Sequence, residues 1–142
     1  MIVADVNVLV HAFNPSSSEH GRVGSWLAEA LAGDEPFGLV DHSLQGFVRI
    51  VTDSRIWRTP ASAGVASSFV ADLVEAPASR WLPSGPDVWR RFAGLVKSDP
   101  GIRGTVVPDA YLAATALAHG ARIATSDRGF GRFPGVRFFD PR

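Results

Sequence analysis

Ile2-Val3-Ala4-Asp5-Val6-Asn7-Val8-Leu9-Val10 decides how the rest of the chain is read. Ile2-Val3-Ala4 is a short apolar run. It fits a strand covered on both faces, because parallel strands buried between two layers are continuously apolar. Asp5 follows that strand directly, and Asn7 stands two residues on. Val8-Leu9-Val10 is a second apolar stretch able to open a helix. A strand that ends on a carboxylate and runs towards a helix is the opening of an α/β unit.

The same alternation continues outward. Val23, Leu27, Ala30 and Leu31 fall on one face of a helix from Glu19 to Leu31, and Gly33 is its stop. Phe37-Gly38-Leu39-Val40 reads as a second strand. Leu44, Phe47, Val48 and Val51 then recur at helical spacing. Asp53 to Pro60 is a loop with Ile56-Trp57 at its tip. A helix over 61–76 carries Val65, Phe69 and Leu73 four residues apart, and Pro77 ends it. Arg80-Trp81-Leu82 is a short strand. Val88, Phe92, Leu95 and Val96 mark a further helix, closed by Asp99-Pro100-Gly101. Pro108 suits a first helical position, and its helix runs to His119 with Gly120 as stop. Arg122-Ile123-Ala124-Thr125 is a strand, Ser126-Asp127-Arg128-Gly129 a turn, and Val136-Arg137-Phe138-Phe139 a last strand. Strands separated by helices give an α/β class with a mainly parallel sheet. The helices between the second strand and Pro108 are apolar on one face and need the same core, so residues 1–142 are read as one domain.

Composition excludes more than it selects. Of 142 residues, 46% are hydrophobic, enough for a sizeable core and unlike a disordered chain. Basic and acidic residues balance at 14 each, so any surface for nucleic acid is local. The absence of cysteine excludes disulfides, thiolate zinc sites and cysteine nucleophiles. No basic, then long apolar, leader precedes Asp5, and no apolar run approaches the ~20 residues that span a bilayer. A cytoplasmic protein without a membrane segment is expected.

Three aspartates occupy comparable places. Asp5 follows the first strand, Asp127 lies two residues past the strand ending near Thr125, and Asp109 stands in the first turn of the Pro108 helix. Ligands of open parallel sheets bind outside the carboxyl ends of the strands. Carboxylates gathered there repel unless a cation sits among them. Mg²⁺ takes oxygen ligands, keeps several waters and uses one or two carboxylates directly. Such a set suits phosphodiester hydrolysis without histidine or cysteine. Each aspartate alone has a plainer reading: Asp5 as a helix cap, Asp109 as a partner of the helix dipole, Asp127 as turn chemistry. Periodicity does not decide whether the three meet.

The ordered set of blocks resembles the PIN-domain ribonucleases, in particular the toxin half of actinobacterial VapBC toxin–antitoxin pairs. The opening block resembles the family's first strand, acid and helix start. Val107-Pro108-Asp109-Ala110-Tyr111-Leu112-Ala113 resembles its helix with a second metal-binding acid. Ala121-Arg122-Ile123-Ala124-Thr125-Ser126-Asp127-Arg128 resembles its late strand and aspartate turn. Gly46-Phe47-Val48-Arg49-Ile50-Val51-Thr52 and the Phe133-to-Pro141 tail resemble two further family segments. The resemblance implies a three-layer α/β/α sandwich around a central, mainly parallel sheet. It implies a Mg²⁺- or Mn²⁺-dependent endoribonuclease, with RNA as substrate, a VapB-type antitoxin as partner and homodimers common. Asp5 and Asp109 are then metal ligands, and Asp127 completes a catalytic acidic pocket. Asn7 and Ser126 are polar neighbours, and Arg128, beside Asp127, is the arginine best placed to meet RNA.

One place departs from the family pattern. Where a glutamate is expected before the Phe-Val-Arg segment, the chain has Gln45-Gly46. Asp41 lies four residues before Gln45 and is the candidate substitute, or else the cap of its own helix. Two other functions compete. Asp5-Val6-Asn7-Val8 echoes the Asp-x-Asp loop of haloacid-dehalogenase-type phosphatases, with Asn7 in place of the second acid and Lys97 in no suitable context. A PIN-like module that only binds RNA or protein is the other. His11, His20, His42 and His119 have no zinc spacing, and of these His42 is near the proposed pocket. Arg49, Arg55, Arg58 and Arg132 are further candidates for phosphate contact, and Trp26 and Ile56-Trp57 for core or partner surface.

Overall fold

The computed structural model describes residues 1–141. Its centre is β1 (Ile2–Ala4), the run that opens the sequence. β2 (Phe37–Leu39) and β4 (Arg122–Ala124) flank it, with Ile2 opposite Phe37 and Ala4 opposite Ala124. β3 (Ser79–Trp81) and β5 (Arg137–Phe139) form the edges. The strand order is β3-β2-β1-β4-β5, and every pairing is parallel. All strand ends that carry chemistry therefore lie along one edge.

Helices cover both faces. α1 (Val6–Phe13), α2 (His20–Ala32), α3 (Asp41–Val51) and α4 (Ala63–Glu75) bury Val8, Leu27, Phe47 and Leu73 against Ile2, Ala4, Phe37 and Leu39. α5 (Pro86–Ser98) and α6 (Val107–His119) bury Val88, Leu95 and Ala113 against Val3 and Ile123. Alternate strand residues thus feed opposite cores, as the pleat requires. Gly38 faces the second core, where a Cβ would stand 2.6 Å from Leu82 Cδ1 and 2.8 Å from Val3 Cγ1. Only glycine permits that approach without repacking. This is the three-layer sandwich around a parallel sheet. Among the described residues, no helix is long and apolar enough to cross a membrane.

Some elements differ from their expected form. The apolar stretch at Val8 is a full helix, α1, because Asp5 in extended conformation lets it start at Val6. α3 starts at Asp41, ahead of its apolar repeat, so Asp41 sits inside the first turn and Val40 holds the cap position. Asp41 therefore does not cap the helix. In α4 the Ser62 hydroxyl accepts from the Val65 amide (3.1 Å), and the inward stripe is buried Ala66 and Leu73 with half-buried Phe69. Val65, expected on that stripe, is exposed, since Ala66 fills the contact one residue later. Trp26 packs on the core, edge-on to Phe139 at 5.9 Å. Trp57 turns inward and donates to the Ile50 carbonyl (2.9 Å), leaving Ile56 exposed.

Candidate active site

The register of β1 and β4 builds the site. Ala4 pairs with Ala124, so the residues that follow, Asp5 and Thr125, emerge side by side. The Asp5 amide continues the ladder to the Ala124 carbonyl (3.0 Å). The Thr125 hydroxyl donates to Asp5 Oδ2 (2.9 Å) and accepts from the Asp127 amide (3.0 Å). Both Asp5 and Thr125 are buried. One hydroxyl therefore fixes the carboxylate and ties it to the next acid's loop. Asp127 Oδ1 in turn accepts from the Gly129 amide (2.7 Å), holding the turn that leads into a short 3₁₀ segment, Arg128–Arg132.

α6 brings the second acid. Pro108 in its first turn fixes the helix start, and Asp109 projects into a cleft of about 300 Å³ that Asp5 also lines. Burial raises the Asp5 carboxyl above the usual range. The Thr125 hydrogen bond, with the nearby Asn7 and Val6 amides, pulls it back, and the charge of Asp127 adds to the rise. Burial likewise pushes Asp109 up to about 6, and the charges of Asp5 and Asp127 add to it, against the opposing charge of Arg132. The three aspartates thus sense one another at the carboxyl edge of the sheet.

Carboxylates crowded in this way either retain a proton or take a positive charge among them. Hard oxygen donors with room for water match Mg²⁺ or Mn²⁺, which bind few carboxylates directly. Among the described residues, no three His, Cys, Asp or Glu side chains form a closed metal cage. The pair Asp5 and Asp109 could hold such a cation, while Asp127 lies outside the cleft lining and acts on both through its charge.

The other expected residues separate. Asn7 lines the cleft, as do Gln45 and Gly46. Asp41 is exposed and lines an adjoining apolar groove, not the cleft. Ser126 lines a different hollow, with His11, Glu19 and Asp140. Arg128 is exposed outside the cleft lining. Two residues were not singled out from sequence. Thr125 looked like a strand terminus, although a hydroxyl two residues before an aspartate in a turn is a usable signal. Ser43 lines the cleft, and its buried hydroxyl has no hydrogen-bond partner among the described residues. Its neighbour His42, packed edge-on to Tyr111 at 5.4 Å, is held below the usual histidine range by burial.

The PIN-domain family model matches residues 2–136. The chain belongs to the PIN-domain family. Its PIN relatives include ribonuclease VapC43 of Mycobacterium tuberculosis, 40% identical over 141 residues that cover 99% of this chain and 95% of the relative. Ribonuclease VapC31 of the same species is 33% identical, covering 99% of each chain. These are curated VapC ribonucleases, and the chain is a nuclease of that PIN group. A VapBC2 structure from Rickettsia felis, bound to a DNA fragment from the promoter, shares the fold at TM-score 0.73 and 17% identity, covering 99% of this chain and 98% of that one.

The acid cluster has a consequence for the metal-free PIN fold. A carboxyl whose pKa is raised by folding makes the folded state hold a proton that the unfolded state has released, so stability falls as pH rises through that window. For Asp109 the window runs from the ordinary carboxyl value of 3.8 to about 6. His42 works in the opposite sense, because its lowered pKa makes stability fall as pH drops below 6.5. Chelated wild type and Asp109→Asn should therefore differ in slope. The variant gains about 1–2 kcal/mol over wild type at pH 7, discounted because the carboxyl is only half-buried, and much less near pH 4. Thermal melts across that range measure it, and parallel curves contradict it.

Proposed function

We propose that this protein is a metal-dependent endoribonuclease, the toxin of a type II toxin–antitoxin pair. The observation that carries the reading is the cleft in which Asp5 and Asp109 stand together, each raised by burial and by neighbouring negative charge. Kinship with VapC ribonucleases supports RNA as the substrate. Mg²⁺ or Mn²⁺ bound there supplies an activated water and offsets charge on the phosphodiester.

The chain's own residues set the stage for that chemistry. Asp5 is held in one rotamer by Thr125, so its oxygens keep a fixed direction. Asp109 enters from a helix start that proline makes rigid. Asp127 adds negative charge that reaches Asp5 and Asp109, and shares the Thr125 hydroxyl with Asp5. Asn7 and Gln45 present amides that can orient water or RNA oxygens. Thr125→Val removes the donor that aims Asp5, and outer partners of metal ligands typically carry about 10–100-fold in metal affinity or activity. Calorimetric titration with Mn²⁺ reads the loss; wild-type affinity in the variant contradicts the role.

An antitoxin needs a surface. Beside the cleft runs an apolar groove of about 710 Å³, with Trp89, Phe92 and Tyr111 in its lining and Trp89 exposed. It suits the apolar face of a partner helix. A ribonuclease acting on the RNA of its own cell would work in the cytoplasm. The phosphatase alternative loses support, since Lys97 is exposed on the last turn of α5 and lines no part of the cleft. The test is RNA cleavage with Mg²⁺ or Mn²⁺, after chelation, and after metal is restored. Cutting that stops and returns with metal is expected. Cutting indifferent to chelation, or none on a broad RNA panel, contradicts the reading.

A further inference from the structure

We propose that the α3 wall of the cleft is a phosphate subsite, in which the Ser43 hydroxyl and the Arg49 guanidinium grip an RNA phosphate opposite the aspartates. The assignment rests on the ribonuclease reading and names which residues hold the substrate.

The two sides of the cleft differ in charge. Asp5 and Asp109 stand on one side, at the end of β1 and the start of α6. The α3 side carries His42, Ser43, Gln45, Gly46 and Arg49, none of them acidic. A phosphodiester is a single anion with two free oxygens. It needs donors on the side away from the acids.

Ser43 supplies one. It is 4% exposed, and its hydroxyl is buried without a hydrogen-bond partner among the described residues. An unpaired buried hydroxyl costs about 1–3 kcal/mol. It is an unexplained expense unless a ligand oxygen or a water meets it.

Arg49 supplies the charge. Most arginines of the described chain are engaged: Arg22, Arg55, Arg90, Arg91, Arg122 and Arg132 pair with carboxylates, and Arg80 and Arg137 donate to backbone carbonyls. Arg49, Arg58, Arg103 and Arg128 make neither kind of contact there, and of these Arg49 alone lines the cleft. The acid whose field reaches Arg49 is Asp53, which Arg55 already holds through its side chain and amide. An exposed guanidinium whose neighbouring acid is already held by another arginine is suited to a bidentate phosphate contact. Arg128, the arginine favoured from sequence, lies outside this lining.

Steady-state cleavage of a single-stranded RNA oligonucleotide with Mg²⁺, over a series of NaCl concentrations, tests the subsite. Arg49→Gln should raise KM several-fold, with a smaller change in kcat. It should also flatten the slope of log(kcat/KM) against log[NaCl] by about 0.7, the share of one phosphate contact on a single strand. Ser43→Ala should lower kcat/KM several-fold while its melting temperature stays at or above that of wild type, because the hydroxyl has no bond within the protein to lose. Both variants keeping wild-type KM and salt slope overturns the assignment. So does a Ser43→Ala loss that appears only with a lower melting temperature. A wild-type chain that cuts no RNA overturns the ribonuclease reading itself, which the variants then have no part in.

Discussion

Asp5→Asn and Asp109→Asn each lower metal-dependent RNA cutting by at least about a hundredfold, with the fold intact. Even second-sphere partners of metal sites act on the 10–100-fold scale, so loss of a direct ligand exceeds it. Asparagine keeps the shape of the side chain, and at Asp5 it keeps an oxygen to accept from Thr125, whose bond is 2.9 Å in the native site. What it removes is charge, and with it the reason for a cation to enter. Without that charge the remaining carboxylates are also less crowded, so neither variant should melt below wild type in chelator. Cleavage time courses beside thermal melts measure both halves. Full activity in either variant contradicts the metal pair, and lost activity accompanied by unfolding leaves it unsupported.

Phe47→Ala has the largest expected effect on stability. Phe47 is fully buried on α3, with Phe13 edge-on at 5.3 Å and Phe69 tilted at 5.0 Å. Truncating a packed phenylalanine to alanine costs about 3–5 kcal/mol, from lost burial and the cavity left behind. Domains of this size have about 5–15 kcal/mol in total. The melting temperature should fall by roughly 8 °C or more. The same helix presents Ser43, Gln45 and Arg49 to the cleft, so partial unfolding there should also weaken RNA cutting. A melting temperature within a degree or two of wild type contradicts the packing described.

The strands and the two principal acids were legible because their signals are local. A continuous apolar run ending in Asp5, and a proline one residue before Asp109, carry their own structural meaning. That Asp5 and Asp109 share a cleft was not legible, since α6 reaches β1's edge only through the sheet order. The pattern fixes that there are strands, not that β4 lies beside β1. The family resemblance carried that step. Val65 failed because a four-residue repeat drifts around a helix, and Ala66 occupies the buried side instead. Asp41 looked like a substitute acid because it stands one turn from Gln45. The helix axis turns it to the neighbouring groove, while Gln45 and Gly46 themselves face the cleft. Thr125 and Ser43 were missed for a common reason: a hydroxyl becomes informative only when its partner, or lack of one, is seen.

Anomalous diffraction from crystals grown with Mn²⁺ locates the metal directly. A peak between the Asp5 and Asp109 carboxylates, lost in Asp109→Asn, is the expected result. Crystals of a preparation that cuts RNA with Mn²⁺ yet show no peak in that cleft contradict a metal held by this pair.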